Sequence, residues 1–231
     1  MSNKKIQYAC AISGNLCALL FIIALAASGF LPPLPPDWDA VQVVDHYHDH
    51  ENGIRAGAAL LVVSGMFYLP MTAAISDQIR QITGIYDAVR NIQLAAGAAG
   101  AFAIVMPGVT LAVASYRLDR PIETTQLLND LFWMLLLIPW PIFMAQSFSL
   151  AYAILVDSRA KPPFPKPIAL VNILVPITYI PSIAVHCVKT GPVAWNGVVS
   201  FWIPIISFGI QVMVDCTCLM RAAAAADMQA Y

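Results

Sequence analysis

Charge is scarce in this chain. Lysine, arginine, aspartate and glutamate make up 11% of its 231 residues against 59% hydrophobic, and the mean hydropathy is +0.72. A fold of this length has no interior large enough to hide so much apolar surface from water, so the composition belongs to a membrane protein. The few charges nearly cancel, to a net -1, with no cluster of basic side chains, which excludes a nucleic-acid partner. Cysteine is equally sparse. Cys10, Cys17, Cys187, Cys216 and Cys218 never pair on one outer surface in the topology below, so they form no disulfide framework and read as small buried apolar residues. No CxxC or HExxH spacing is present, no motif names a reaction, and no cofactor is implied.

What is there is a series of six apolar runs, each near the roughly 20 residues a spanning helix needs. They cover about Tyr8 to Phe30, Ile54 to Ile75, Ile92 to Tyr116, Leu127 to Val156, Ile168 to Val188 and Gly197 to Met220. Hydrocarbon offers a backbone amide no partner, so each run must satisfy its own hydrogen bonds as a helix. The expected class is an all-α transmembrane bundle forming one domain over residues 1–231.

Of the 12 basic residues, eight fall on one side of this arrangement: Lys4, Lys5, Arg80, Arg90, Arg159, Lys161, Lys166 and Arg221. Positive loops stay in the cytoplasm, so both termini are predicted cytoplasmic in a multi-pass protein of the cell's inner (plasma) membrane. The first run ends in ALAASG and imitates a secretory signal, but it exceeds a signal core in length and is read as an uncleaved anchor.

Between the first two runs lies the longest external loop, a proline-stiffened LPPLPP followed by DWDAVQVVDHYHDHEN. If extended, it would place His46, His48 and His50 on one face beside Asp45, Asp49 and Glu51. Imidazole and carboxylate make that a candidate divalent-metal site, the plain alternative being a solvated acidic loop. After the second run, Ile75, Ile79 and Ile82 recur at helical spacing, and this extension is expected to lie on the membrane surface. The third run opens with small residues at spacing four, Ala96 to Gly100 and Gly97 to Ala101, which let helix backbones approach closely.

Polar and aromatic residues concentrate in the last three runs. Asn129, Trp133 and Trp140 share a stripe of the fourth, which Pro139 and Pro141 should bend. Tyr179 lies in the fifth, and Trp195, Asn196 and Trp202 open the sixth. With Tyr68 and Asp130 these residues are the candidate walls of an outward-facing pocket for a small lipophilic molecule, between the fourth, fifth and sixth spans. Trp133 and Trp195 suit a headgroup-level aromatic belt equally well. Asp215 is the carboxylate placed clearly inside a span: it is either a proton carrier or ligand contact, or the partner of Arg80, Arg90 or Lys161 in an ion pair. Asp130 and Asp215 are thus the catalytic candidates.

The stretches TQLLNDLFW, FPKPIALVN and KTGPVAWNGVVSFWIP resemble those of a group of bacterial six-helix integral membrane proteins over most of the chain from Asn52 onward. That resemblance implies a fold and transfers no functional residue.

Three functions remain open from sequence. The leading one is binding and transport of a small apolar or amphipathic molecule. The others are acid–base chemistry on a lipophilic substrate, and a structural role in a homo-oligomer or membrane complex through an exposed small-residue face of the third span.

Overall fold

The structure is a computed structural model that describes residues 3–228, with side chains described for 5–224. The Lys4 side chain, counted above among the basic residues, lies outside these. The described residues form α1 (Asn3–Ala27), α2 (Ala40–Asp49), α3 (Glu51–Arg80), α4 (Asp87–Tyr116), α5 (Ile122–Leu137), α6 (Trp140–Val156), α7 (Ile168–Ile177) and α8 (Ile203–Met228), and no strand. A 3₁₀ stretch, Ile180–Cys187, continues α7, and a π-helical turn, Val198–Trp202, leads into α8.

Six helical stretches are long and apolar enough to cross a membrane, with α5 and α6 making one of them and α7 with its 3₁₀ continuation another. Their outer faces carry large apolar side chains such as Leu19, Met66, Phe102, Leu174 and Ile206, each more than half exposed. Soluble proteins rarely leave so many large apolar side chains uncovered.

The prolines decide where helices break. Pro139 interrupts the fourth span, so α5 stops at Leu137 and α6 restarts at Trp140, the bend expected there. In the fifth span Pro176 and Pro181 remove two amide donors, and the α-helix gives way to the tighter 3₁₀ form. Pro70 and Pro107 stay inside continuous helices of 30 residues each.

Close packing of α3 on α4 needs glycine. A Cβ on Gly65 would sit 2.9 Å from the Ala101 carbonyl oxygen, so the two backbones meet there. Gly97 and Gly100 face inward too, Gly97 toward Thr72 and Gln146 and Gly100 toward the Phe143 ring. Gly97, Gly100 and Ala101 are therefore packed within the chain, while Ala95, Ala98 and Ala99 of the same run are exposed.

Two other expectations change. The external loop is not extended: Asp39 and Gln42 form a reciprocal cap, at 2.9 and 3.0 Å, and α2 winds from Ala40 to Asp49. The end of α3 does not lie on the membrane surface, because Ile75, Ile79 and Ile82 are buried in the core and α3 runs straight on to Arg80. The core itself divides into two clusters, one near α2 around Phe30, Trp133 and Trp195, and one toward the opposite end around Tyr68, Trp140 and Tyr179.

Candidate functional site

The prolines position the second cluster. Trp140 opens α6 just past the break at Pro139, and Tyr179 follows the end of α7, so both rings project where a helix has lost its regular ladder. They stack on each other with centroids 4.4 Å apart. Phe208 of α8 is the hub of the group, 5.3 Å from both Trp140 and Phe143 and 6.3 Å from Tyr68 and Tyr179.

Behind these rings runs a chain of buried polar groups. Tyr68 donates to Gln146 Oε1 at 2.6 Å, and the Gln146 amide donates to Thr72 Oγ1 at 3.1 Å. Tyr179 donates to Gln211 Oε1 at 2.9 Å, and Gln211 Nε2 is 2.8 Å from both Ser147 Oγ and Asn172 Oδ1. Asn172 in turn donates to Asp215 Oδ1 at 3.1 Å. A small cavity of about 20 Å³ lies among Tyr68, Gln146, Ser147, Asn172, Gln211 and Asp215.

Asp215 has no cationic partner among the described residues. The ion pair expected with Arg80, Arg90 or Lys161 does not form: Arg80 holds Asp77 at 2.6 Å, and Asp215 lies 5% exposed in the amide network. A carboxylate in that setting faces a desolvation cost that a single amide only partly offsets, so the position suits a group that exchanges a proton or accepts a hydrogen bond from a ligand.

An apolar crevice opens on the other side of Phe208. α1 and α8 touch where Gly14 faces Cys216, and toward the α2 end they part around Phe21, Ile22, Ile205 and Gly209, with Trp140 and Phe143 at the back. The crevice holds about 660 Å³ counting its open mouth. Its lining comes from the middle of α1 and α4, the end of α5 and the starts of α6 and α8. Phe208 belongs to both the crevice and the polar cavity. It is thus the side chain that separates them.

The residues proposed from sequence as one pocket fall into two groups. Tyr68, Trp140 and Tyr179 come together in the cluster just described. Trp133 and Trp195 belong to the other, stacked with centroids 6.1 Å apart and buried to 0% and 4% exposure. That burial removes them from any headgroup belt, and Trp195 Nε1 instead donates to the Leu34 carbonyl at 2.7 Å, pinning the proline segment over the bundle. Asn129 is buried and accepts from Tyr47 at 3.4 Å, while Asp130, Asn196 and Trp202 are half-buried nearby. Burial raises the Tyr47 hydroxyl well above the usual phenol range, with the Asp130 carboxylate adding to the effect, so Tyr47 stays a neutral donor.

The histidines do not assemble a metal site. Helical winding brings His46 and His50 into a stack at 4.2 Å and leaves His48 exposed on another face, and among the described residues no three His, Cys, Asp or Glu side chains are grouped to hold an ion. His46 lies 3.0 Å from the Ser28 carbonyl oxygen, and burial lowers its imidazole below the ordinary value even though that carbonyl pulls the other way.

Sequence reasoning missed Gln146, Gln211, Phe143 and Phe208 as site residues. The available signal was a glutamine inside an apolar run, a position hydrocarbon penalises unless it has partners.

Fold and site together define a class, a six-span helical bundle with a buried polar network beside an apolar crevice. No known protein family, curated protein or solved structure matches the chain.

Proposed function

We propose that this integral membrane protein binds a small amphipathic molecule, apolar along most of its length with one hydrogen-bonding end. The apolar body lies in the crevice between α1 and α8, and the polar end passes Phe208 to meet Gln211, Asn172 and Asp215. The observation that carries this reading is the shared wall: the apolar crevice and the buried polar cavity are divided by one aromatic ring. The setting is the cell's inner membrane, with the end bearing residues 81–86 and 157–167 in the cytoplasm, by the distribution of basic residues.

The uncompensated carboxylate of Asp215 favours a second use of the same site, in which the bound molecule exchanges a proton with Asp215 during transport or acid–base chemistry.

The test is a melting series on the purified protein with a medium-chain alcohol, an isoprenoid alcohol, a sterol and a hydrocarbon of matched length. An alcohol should raise Tm more than its hydrocarbon, and Asp215→Asn together with Gln211→Leu should erase the difference. A melting curve unmoved by every member of the panel sinks the proposal. Product formation that stops in Asp215→Asn would favour the proton-carrier reading over simple binding.

A further inference from the structure

The end of the bundle opposite α2 carries a cleft that shares no residue with the crevice or the polar cavity. Gln7 of α1, Gln78 and Gln81 at the end of α3, Arg159 and Lys161 of the 157–167 connection, and Arg221 of α8 converge on it from four separate pieces of chain. The cleft holds about 1110 Å³ counting its open mouth, and its lining has three cations and no carboxylate.

The neighbouring charges are already committed. Asp157 is buried and takes a forked contact from Arg159, at 2.9 and 2.6 Å to its two oxygens. Lys166 spans the end of α6, bonded to the carbonyls of Ile154, Leu155 and Asp157 at 2.6 to 2.8 Å. Arg80 holds Asp77. Lys161 and Arg221 remain, and among the described residues neither makes an ion pair. Two like charges brought to one cleft repel each other unless an anion lies between them.

Arg221 also closes the end of a second groove, which runs along the lipid face of α8 past Ile210, Met213, Val214 and Thr217 and holds about 590 Å³. Ile210 and Met213 are about half exposed there, at 49% and 52%. A basic cleft and an apolar groove therefore meet at one guanidinium. A free phosphate would use the cleft and leave the groove without a role; a neutral lipid would use the groove and leave the cations unmatched.

We infer that this end of the protein holds an anionic phospholipid, its phosphate between Lys161 and Arg221 and one acyl chain along the α8 groove. The amides of Gln7 and Gln78 supply the uncharged donors that a phosphate or glycerol headgroup needs, while the Gln81 amide already donates to Asp77 at 3.3 Å. This site is separate from the crevice proposed for the amphipathic molecule, and either can fail without the other.

The test uses the full chain in a non-ionic detergent, titrated with a short-chain phosphatidylglycerol and with a phosphatidylcholine of the same chains, read by native mass spectrometry. The anionic lipid should bind at least about tenfold tighter, and its advantage should shrink as salt is raised. Lys161→Gln with Arg221→Gln should weaken the anionic lipid about 25-fold, since each juxtamembrane cation contributes about fivefold, and leave the zwitterionic lipid unchanged. Met213→Trp fills the groove without touching charge and should weaken the anionic lipid as well, which keeps the test open if the double variant does not fold. Equal binding of the two lipids, or an undiminished preference in either variant, would overturn the inference. So would displacement of the lipid by inorganic phosphate with the same affinity as the lipid itself, which would assign the cleft to a free anion.

Discussion

Gly209 offers a way to fill the crevice without disturbing the bundle. A Cβ built there meets no protein atom within 4 Å, and the residue lines the crevice beside Phe208. Glycine in a helix interior costs about 0.8 to 1 kcal/mol relative to alanine, so Gly209→Ala should stabilise α8 by about that amount. For a chain of this size about 1 kcal/mol corresponds to roughly 2–4 °C in Tm. Gly209→Leu keeps most of the gain and extends a branched side chain into space that the amphipathic molecule would occupy. A ligand present at 100 times its Kd stabilises the folded state by about 2.7 kcal/mol through mass action, or roughly 5–11 °C on the same scale. Melting followed by intrinsic fluorescence in detergent, with and without the best alcohol of the panel, reads both effects. Gly209→Leu should melt a few degrees above the parent when free and show no ligand shift. A variant that melts higher yet keeps the full shift would put the ligand elsewhere. A variant that melts lower when free would refute the claim that the space beside Gly209 is open.

Gly65→Leu should do the opposite of Gly209→Leu: with its Cβ 2.5 Å from Val105 Cγ2 and 2.9 Å from the Ala101 carbonyl oxygen, α3 and α4 must part, at a cost of about 2–5 kcal/mol seen as a fall in Tm or loss of folded protein. Tyr179→Phe removes the hydroxyl bonded to Gln211 Oε1 and should cost about 0.5–2 kcal/mol, the range for hydrogen bonds between membrane helices; a melting curve identical to the parent's would deny that bond a structural role. The pH dependence has two parts outside the spans. His46 is lowered by burial, so the unfolded chain binds its proton first and Tm should decline as pH falls below about 6.5, a decline that His46→Gln should reduce. Burial pushes the Asp157 carboxyl up, but its bonds to Arg159 outweigh that and hold it below the ordinary carboxylate value, so its contribution is present above about pH 4 and is lost only in stronger acid.

Several local features could be read directly. The break at Pro139 follows from a ring that cannot donate a hydrogen bond, and the close approach of α3 and α4 is foreshadowed by the small residues of the third run. The site was harder to see because its parts are far apart in the chain. Gln146 and Tyr68 are separated by 78 positions, and Tyr179 and Gln211 by 32, and nothing in a spacing rule pairs them. The tryptophans misled for a related reason: an indole near the end of a span suits both headgroups and a pocket, and the proline segment 31–36 covering Trp195 put it in the core instead. The histidines failed as a metal set because an Asp39–Gln42 cap starts a helix, and a period of 3.6 does not keep alternate residues on one face.

The amino-acid sequence alone determined that this is an all-helical bundle of six spans, since apolar runs of that length in hydrocarbon leave a backbone no other way to satisfy its amides. Only the tertiary structure decided which polar side chains face one another. Buried amides, a carboxylate and two tyrosines must each find partners when helices close, and those partners come from whichever helices pack together. Depth in a span is written in the sequence, while the choice of neighbour is a property of the packed bundle.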